Sequence, residues 1–200
     1  MATLSQTAHS PLLLGPGDHG RAVSDEEFVG AEFEEPWRYE LVDGRIVVMW
    51  PDSEAYDDAS EPWRDCLGAY KLAHRDRVDK VVSEAWVRIG RGKYRIADIT
   101  VYLSGSRSQQ RRPDRVPEIV VEVLSPGAET CERDAVEKRS EYHGLGVLEY
   151  VLVGYERKQV SVLTHSAQGY RETVLASADT YQTPHLPGLL IPLNEILPRS

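Results

Sequence analysis

The sequence predicts an α/β fold, a mixed β-sheet flanked by helices, with a β-hairpin near the N-terminus. Three observations predict it. Two β-rich runs, Trp37–Val42 and Arg45–Trp50, flank Asp43-Gly44. That dipeptide suits a type I′ turn, whose two central residues take positive φ. A near-continuous apolar run over residues 118–125 leads through a helical stretch into a second apolar run over residues 147–153. Strand–helix–strand implies a right-handed parallel crossover. Two further β-rich runs, residues 158–164 and 170–175, look like a closing antiparallel pair. Parallel and antiparallel pairing together make the sheet mixed.

In chain order, residues 1–20 carry Gly, Pro and small polar residues without periodicity and are expected to form a flexible tail. Residues 21–200 are expected to form one domain. Ser24 with Glu27 three residues later reads as a capping box opening a short helix. From Asp57 to about Arg75, Trp63, Leu67, Tyr70 and His74 recur at intervals of four and three, which is helical, with Pro62 placed in the first turn. Residues 81–89 and 94–103 read as strands around Gly90-Arg91-Gly92. Residues 104–113 are polar and Arg-rich, and read as a loop. The helix of the crossover runs from about Thr130 to Tyr142, and Gly144 and Gly146 end it. The closing stretch, Pro187 to Leu197, is apolar enough to dock on the domain.

The longest apolar runs, near 119–124 and 186–193, are too short to span a bilayer. The N-terminus lacks the basic start and apolar core of a secretory signal. Cys66 and Cys131 stand apart and form no CxxC, which argues against a zinc ribbon or a disulfide framework. A cytoplasmic location is expected. There is no GxGxxG, P-loop, GxSxG or HExxH, so nucleotide cofactors and the common hydrolase motifs are excluded. Net charge is −9, which argues against a phosphate-rich partner until its distribution is considered. Residues 18–65 hold fifteen acids and four bases, whereas residues 88–115 hold eight bases and two acids. That basic middle is either solvated surface or a face for a phosphate backbone.

Two acids interrupt apolar strands. Glu122 lies among Ile119, Val120, Val121, Val123 and Leu124, and Asp98 lies between Ile96-Ala97 and Ile99-Thr100-Val101. Burying an unpaired carboxylate costs several kcal/mol, on the order seen for buried ions, so something must compensate. If the two strands are neighbours, the carboxylates can converge on one hard cation such as Mg²⁺. Alternatively each makes a structural salt bridge, with Arg95 or Lys138 as partner. Lys138 follows on the next helix, sharing a face with Asp134 and Tyr142. It either points inward to the carboxylates or pairs outside with Asp134 or Glu141.

The chain resembles the Uma-two family, described as "putative restriction endonucleases", within the PD-(D/E)xK nuclease superfamily. The resemblance lies in Tyr39-Glu-Leu-Val-Asp-Gly-Arg-Ile46, Ile96-Ala-Asp-Ile-Thr-Val101, Ile119-Val-Val-Glu-Val-Leu-Ser-Pro126, Lys138, Tyr142, Gly146-Val-Leu-Glu-Tyr150 and Leu186-Pro-Gly-Leu189. It runs from about residue 24 to the C-terminus. It implies a restriction-endonuclease-like fold, hydrolysis of nucleic-acid phosphodiester bonds with DNA as the expected partner, Mg²⁺ or Mn²⁺ as cofactor, and a homodimer. It also implies catalytic roles for Asp98, Glu122, Lys138 and Glu40, with Asp98, Glu122 and the Val123 carbonyl as metal ligands. Leu124 stands where the superfamily's usual lysine would be; the family places its lysine on the following helix, at Lys138. Ala97 replaces the proline that usually precedes the aspartate, and Ser60 and Glu61 stand where relatives often carry a His.

Two rivals remain at this level. One is a catalytically inactive module that keeps the fold and binds nucleic acid or protein. The other is a hydrolase that uses the two carboxylates on a glycosidic bond, with Trp37, Trp50, Trp63 and Trp86 lining a groove.

Overall fold

A computed structural model describes residues 11–51, 53–105, 112–124, 129–154 and 157–197, with residues 129–135 described by their backbone alone. The Arg107 and Arg111 side chains, the Cys131 and Asp134 side chains, and the Ser125-Pro126-Gly127 strand end lie outside the described residues. The chain divides into two compact units, Met1–Pro51 with Gly90–Tyr94, and Asp52–Ile89 with Arg95–Ser200.

The first unit holds β1 (Leu13–Leu14), a 3-10 turn (Pro16–Asp18), α1 (Asp25–Val29), β2 (Glu32–Phe33), β3 (Arg38–Val42) and β4 (Arg45–Met49). The hairpin predicted at Asp43-Gly44 is present: β3 and β4 pair antiparallel around it, with φ of 51° and 74° at the two turn residues. The Ser24–Glu27 capping box is present as well. Leu41 pairs with Tyr94, and Gly44 N–H donates to the Gly92 carbonyl at 2.8 Å. That approach leaves no room for a side chain at residue 92, where φ is +70° and a Cβ would lie 3.1 Å from the Gly44 nitrogen. The outer edge of β4 is covered by the chain around residues 19–23: Gly20 N–H donates to Ile46 O and Ile46 N–H to Arg21 O. Covering an edge in this way blocks pairing with other chains.

Residues 11–20, expected as tail, belong to this unit. Leu14 is fully buried and β1 pairs β2 in parallel. Two-residue strands carry no periodicity and so leave no signature to read.

The second unit holds α2 (Glu54–Ala73), β5 (Val78–Gly90, up to Ile89), β6 (Lys93–Leu103, from Arg95), β7 (Ile119–Leu124), α3 (Glu129–Leu145), β8 (Glu149–Gly154), β9 (Gln159–Ser166), β10 (Gly169–Ala176), β11 (Thr180–Tyr181), β12 (Ile191–Pro192) and α4 (Leu193–Ile196). Its sheet runs β10-β9-β8-β7-β6, with β5 on β6. The β7–β8 pair is parallel and joined by α3, as the crossover requires; β6–β7, β8–β9 and β9–β10 are antiparallel. The mixed α/β sheet flanked by helices is therefore the fold.

Side chains alternate across strands, so one sheet carries two different faces. Ile119, Val121, Val123, Val151 and Val153 pack with Trp63, Leu67 and Tyr70 of α2 and with Leu186, Ile191 and Leu193 of the closing stretch. Val120, Tyr150 and Leu163 pack with Tyr142 of α3. Helix α2 starts earlier than its sequence suggests. Ser53 accepts from Tyr56 N–H at 3.3 Å, and Pro62 lies inside the helix rather than in its first turn. The early start extends the buried stripe by Tyr56. Apolar burial there outweighs the hydrogen bond that Pro62 cannot donate.

The closing stretch is fastened through one buried acid. The Tyr181 hydroxyl donates to Glu149 Oε1, and Thr183 Oγ1 donates to Oε2 at 3.0 Å. Burial raises the Glu149 carboxyl above its ordinary value, and these two donors pull it back only in part. Among the described residues, no helix is long and apolar enough to cross a membrane.

Candidate active site

Strand β6 brings Asp98 and strand β7 brings Glu122. Their ladder pairs Ile99 with Val121, Thr100 with Val120 and Val101 with Ile119. One step further along that register sets residue 98 beside residue 122. Both carboxylates are buried, at 7% and 6% exposure. Beyond the ladder, Val123 N–H donates to Asp98 Oδ2 at 2.7 Å. A side-chain carboxylate thus engages the backbone of the neighbouring strand, which fixes Asp98 against β7.

Helix α3 supplies the positive charge. Lys138 Nζ donates to Glu122 Oε1 at 3.1 Å and to the Ile96 carbonyl at 2.9 Å. Tyr142, one turn later on the same helical face, donates its hydroxyl to the same Glu122 oxygen at 3.1 Å. Of the two readings open for Lys138, the inward one holds. Of the two candidates for a structural partner of the acids, Lys138 pairs with Glu122, whereas Arg95 turns to α3. Its Nε donates to Glu141 Oε2 at 2.8 Å, and its Nη2 donates to Glu141 Oε1 and Glu137 Oε2, both at 3.0 Å.

Val123 is thereby brought to the site with Asp98, Glu122 and Lys138. Glu40 lies on β3 of the first unit, buried at 3% exposure and opposite Val47 of β4.

A model of one protein family, Uma2, described as "Putative restriction endonuclease", matches residues 25–194. The chain belongs to the Uma2 family. A solved structure titled as a putative nuclease belonging to DUF820, from Anabaena variabilis ATCC 29413, superposes with a TM-score of 0.71 at 14% identity, covering 87% of this chain and 97% of that one. At that identity the likeness shows the fold alone. No curated protein matches the chain.

Within this Uma2 chain, the donor set suits a hard cation. Among the described residues, no three His, Cys, Asp or Glu gather as a metal cage. Two carboxylates completed by carbonyl, water or phosphate oxygens are the arrangement that Mg²⁺ favours. The surroundings also carry negative potential. Burial first, and then the charges of Glu122 and Asp98, push the Tyr150 hydroxyl well above its ordinary value. That hydroxyl is fully buried and, among the described residues, has no hydrogen-bond partner.

Sequence reasoning missed Tyr150 and the Arg95 fork. The fork had a signal, since Glu137 and Glu141 repeat one turn apart beside the Lys138 and Tyr142 pair. Among the described residues, four of the eight bases in the basic middle are paired within the chain. Arg88 meets Asp114 at 2.9 Å, Lys93 meets Asp43 at 3.1 Å, Arg115 meets Asp79, and Arg95 is buried on α3. Positive charge in sequence is therefore a poor measure of positive surface here.

Proposed function

We propose that this chain is a divalent-metal-dependent endonuclease that hydrolyses nucleic-acid phosphodiester bonds. One observation carries the reading: two buried carboxylates stand side by side on adjacent strands, and one of them, Glu122, meets a lysine whose ammonium is anchored on a strand carbonyl. Membership of a family described as "Putative restriction endonuclease" supports it. Asp98, Glu122 and the Val123 carbonyl would hold Mg²⁺ or Mn²⁺. When bound, such a cation would supply Lewis-acid polarisation of the scissile phosphate and a more acidic water. Lys138, held by Glu122 and the Ile96 carbonyl, would stabilise negative charge developing on the phosphate. Tyr142 holds Glu122 Oε1 in place while the lysine engages the same atom. Glu40 is assigned to support of a second cation. DNA as substrate, a homodimeric, cytoplasmic enzyme, and residues 21–200 acting as one domain complete the reading.

The test is cleavage of supercoiled plasmid with and without Mg²⁺ or Mn²⁺, for wild type and Glu122→Gln. Cation-dependent cleavage, reduced about a hundredfold or more in the variant, is the expected result. A second reading is an inactive module that uses the same residues as a structural ion pair. The direct Lys138–Glu122 contact favours it. It expects no cleavage at any cation concentration.

A further inference from the structure

Arg95 is the most deeply buried cation described beside the site, at 3% exposure, and it reaches across to α3. A buried guanidinium costs several kcal/mol, of the order known for buried ions, unless its partners are fixed. Its partners are fixed by helix geometry. Glu137 and Glu141 lie one turn apart on α3, and the Glu141 carboxylate takes the guanidinium as a two-point fork. Lys138 and Tyr142 each follow those glutamates by one residue. The two rows therefore alternate along one helix: 137 and 141 hold Arg95, and 138 and 142 hold Glu122. Strand β6 is gripped at adjacent residues, through the Arg95 side chain and the Ile96 carbonyl.

We infer that Arg95 is a positioning residue for Lys138: its fork on Glu141 and Glu137 fixes the register of α3 over β6, and thereby the place of the Lys138 ammonium over Glu122. The catalytic consequence rests on the nuclease reading given above; the positional claim does not. A lysine on a long flexible stem loses about 2 kcal/mol of rotamer freedom when held still. Holding its helix at two points one turn apart leaves Nζ little travel. Arg95→Lys keeps the charge but cannot fork, and Arg95→Met removes both.

The experiment is NMR of the full chain labelled at lysine Cε. The chain has five lysines, residues 71, 80, 93, 138 and 158, and the missing signal in Lys138→Arg assigns the one of interest. In wild type the two Lys138 Hε protons should be inequivalent, since the side chain is held. In Arg95→Met they should merge, and in Arg95→Lys they should separate partially. If plasmid cleavage is present, Arg95→Met should lower kcat about tenfold or more, with KM within about twofold, because a misplaced group acts on the bound state. Arg95→Lys should recover part of that loss. Unchanged Lys138 signals in a folded Arg95→Met protein overturn the inference, whatever its melting temperature. If Arg95→Met does not fold, Glu141→Gln, which weakens the fork without removing the guanidinium, is read by the same signals and decides in the same way. A wild type that cleaves nothing sinks the nuclease reading alone, and the NMR result still decides the role of Arg95.

Discussion

On the side of α2, the sheet of the larger unit offers Val121, Val123, Val151 and Val153 to Trp63, Leu67 and Tyr70, and almost every group there is apolar. On the side of α3 the same strands offer Glu122 and Arg95 to Lys138, Tyr142, Glu137 and Glu141. The first face follows the ordinary rule that burial of apolar area stabilises a fold. The second departs from it, since a buried ion network is at best weakly stabilising and is often worse than an apolar replacement. A network of paired charges gathers on the α3 face, which the nuclease reading uses, while the mainly apolar α2 face holds the fold together.

Substitutions on the two faces should therefore fail in different ways. The largest effect belongs to the charged face. Lys138→Met removes the ammonium that pairs with Glu122 and should lower the melting temperature. At a temperature where the variant stays folded, it should still lower cation-dependent cleavage about a thousandfold, far beyond the change in stability, as shown by plasmid nicking beside a thermal melt. Equal loss of stability and activity would erase the distinction between the faces. Trp63→Ala on the apolar face should do the reverse. It should cost about 3–5 kcal/mol of stability, read by urea denaturation, and leave any cation binding by the remaining folded protein unchanged. Tyr142→Phe separates packing from polarity within the α3 face, because the ring stays packed on Val120 and Tyr150 while the hydroxyl leaves Glu122 Oε1. Loss of one hydrogen bond to a charged group should cost about 1.5–3 kcal/mol, visible in transition-state stabilisation as roughly a tenfold or greater fall in kcat.

The smallest effect is at Glu149, a buried carboxylate of the apolar side. Its carboxyl is raised by burial, so the folded chain keeps that proton at a pH where the unfolded chain has lost it. The stability this gives is present at low pH. It declines as pH rises from the ordinary carboxyl range through the raised value. Glu149→Gln keeps the shape and removes the charge. It should flatten that decline and leave the protein at least as stable as wild type at neutral pH, in melts run across pH. A variant clearly less stable at neutral pH would show that the ionised form, held by Tyr181 and Thr183, is the one that fastens the closing stretch.

Much of this was legible before the fold. Asp98 and Glu122 stood out because a charge inside an apolar strand needs an explanation, and period-two alternation fixed which neighbours they faced. Asp43-Gly44 announced its turn because few residues accept positive φ twice in succession. What stayed hidden depended on contacts distant in sequence. The partner of Arg95 lies 42 to 46 residues away, and no local pattern says which buried cation meets which acid. Leu14 is buried through a two-residue strand that has no periodicity to read. The start of α2 moved to Glu54 because Tyr56 found a core, a tertiary gain that overrides the local preference for Pro in a first turn.

The central claim is that Asp98 and Glu122 are held together, buried, to bind a divalent cation. Calorimetric titration of the purified chain with Mn²⁺ and Mg²⁺, with Asp98→Asn beside wild type, tests it most directly. The account predicts saturable binding by wild type that is lost in the variant while the variant's melt stays close to wild type. Absence of binding to wild type, or binding undiminished in Asp98→Asn, would contradict it.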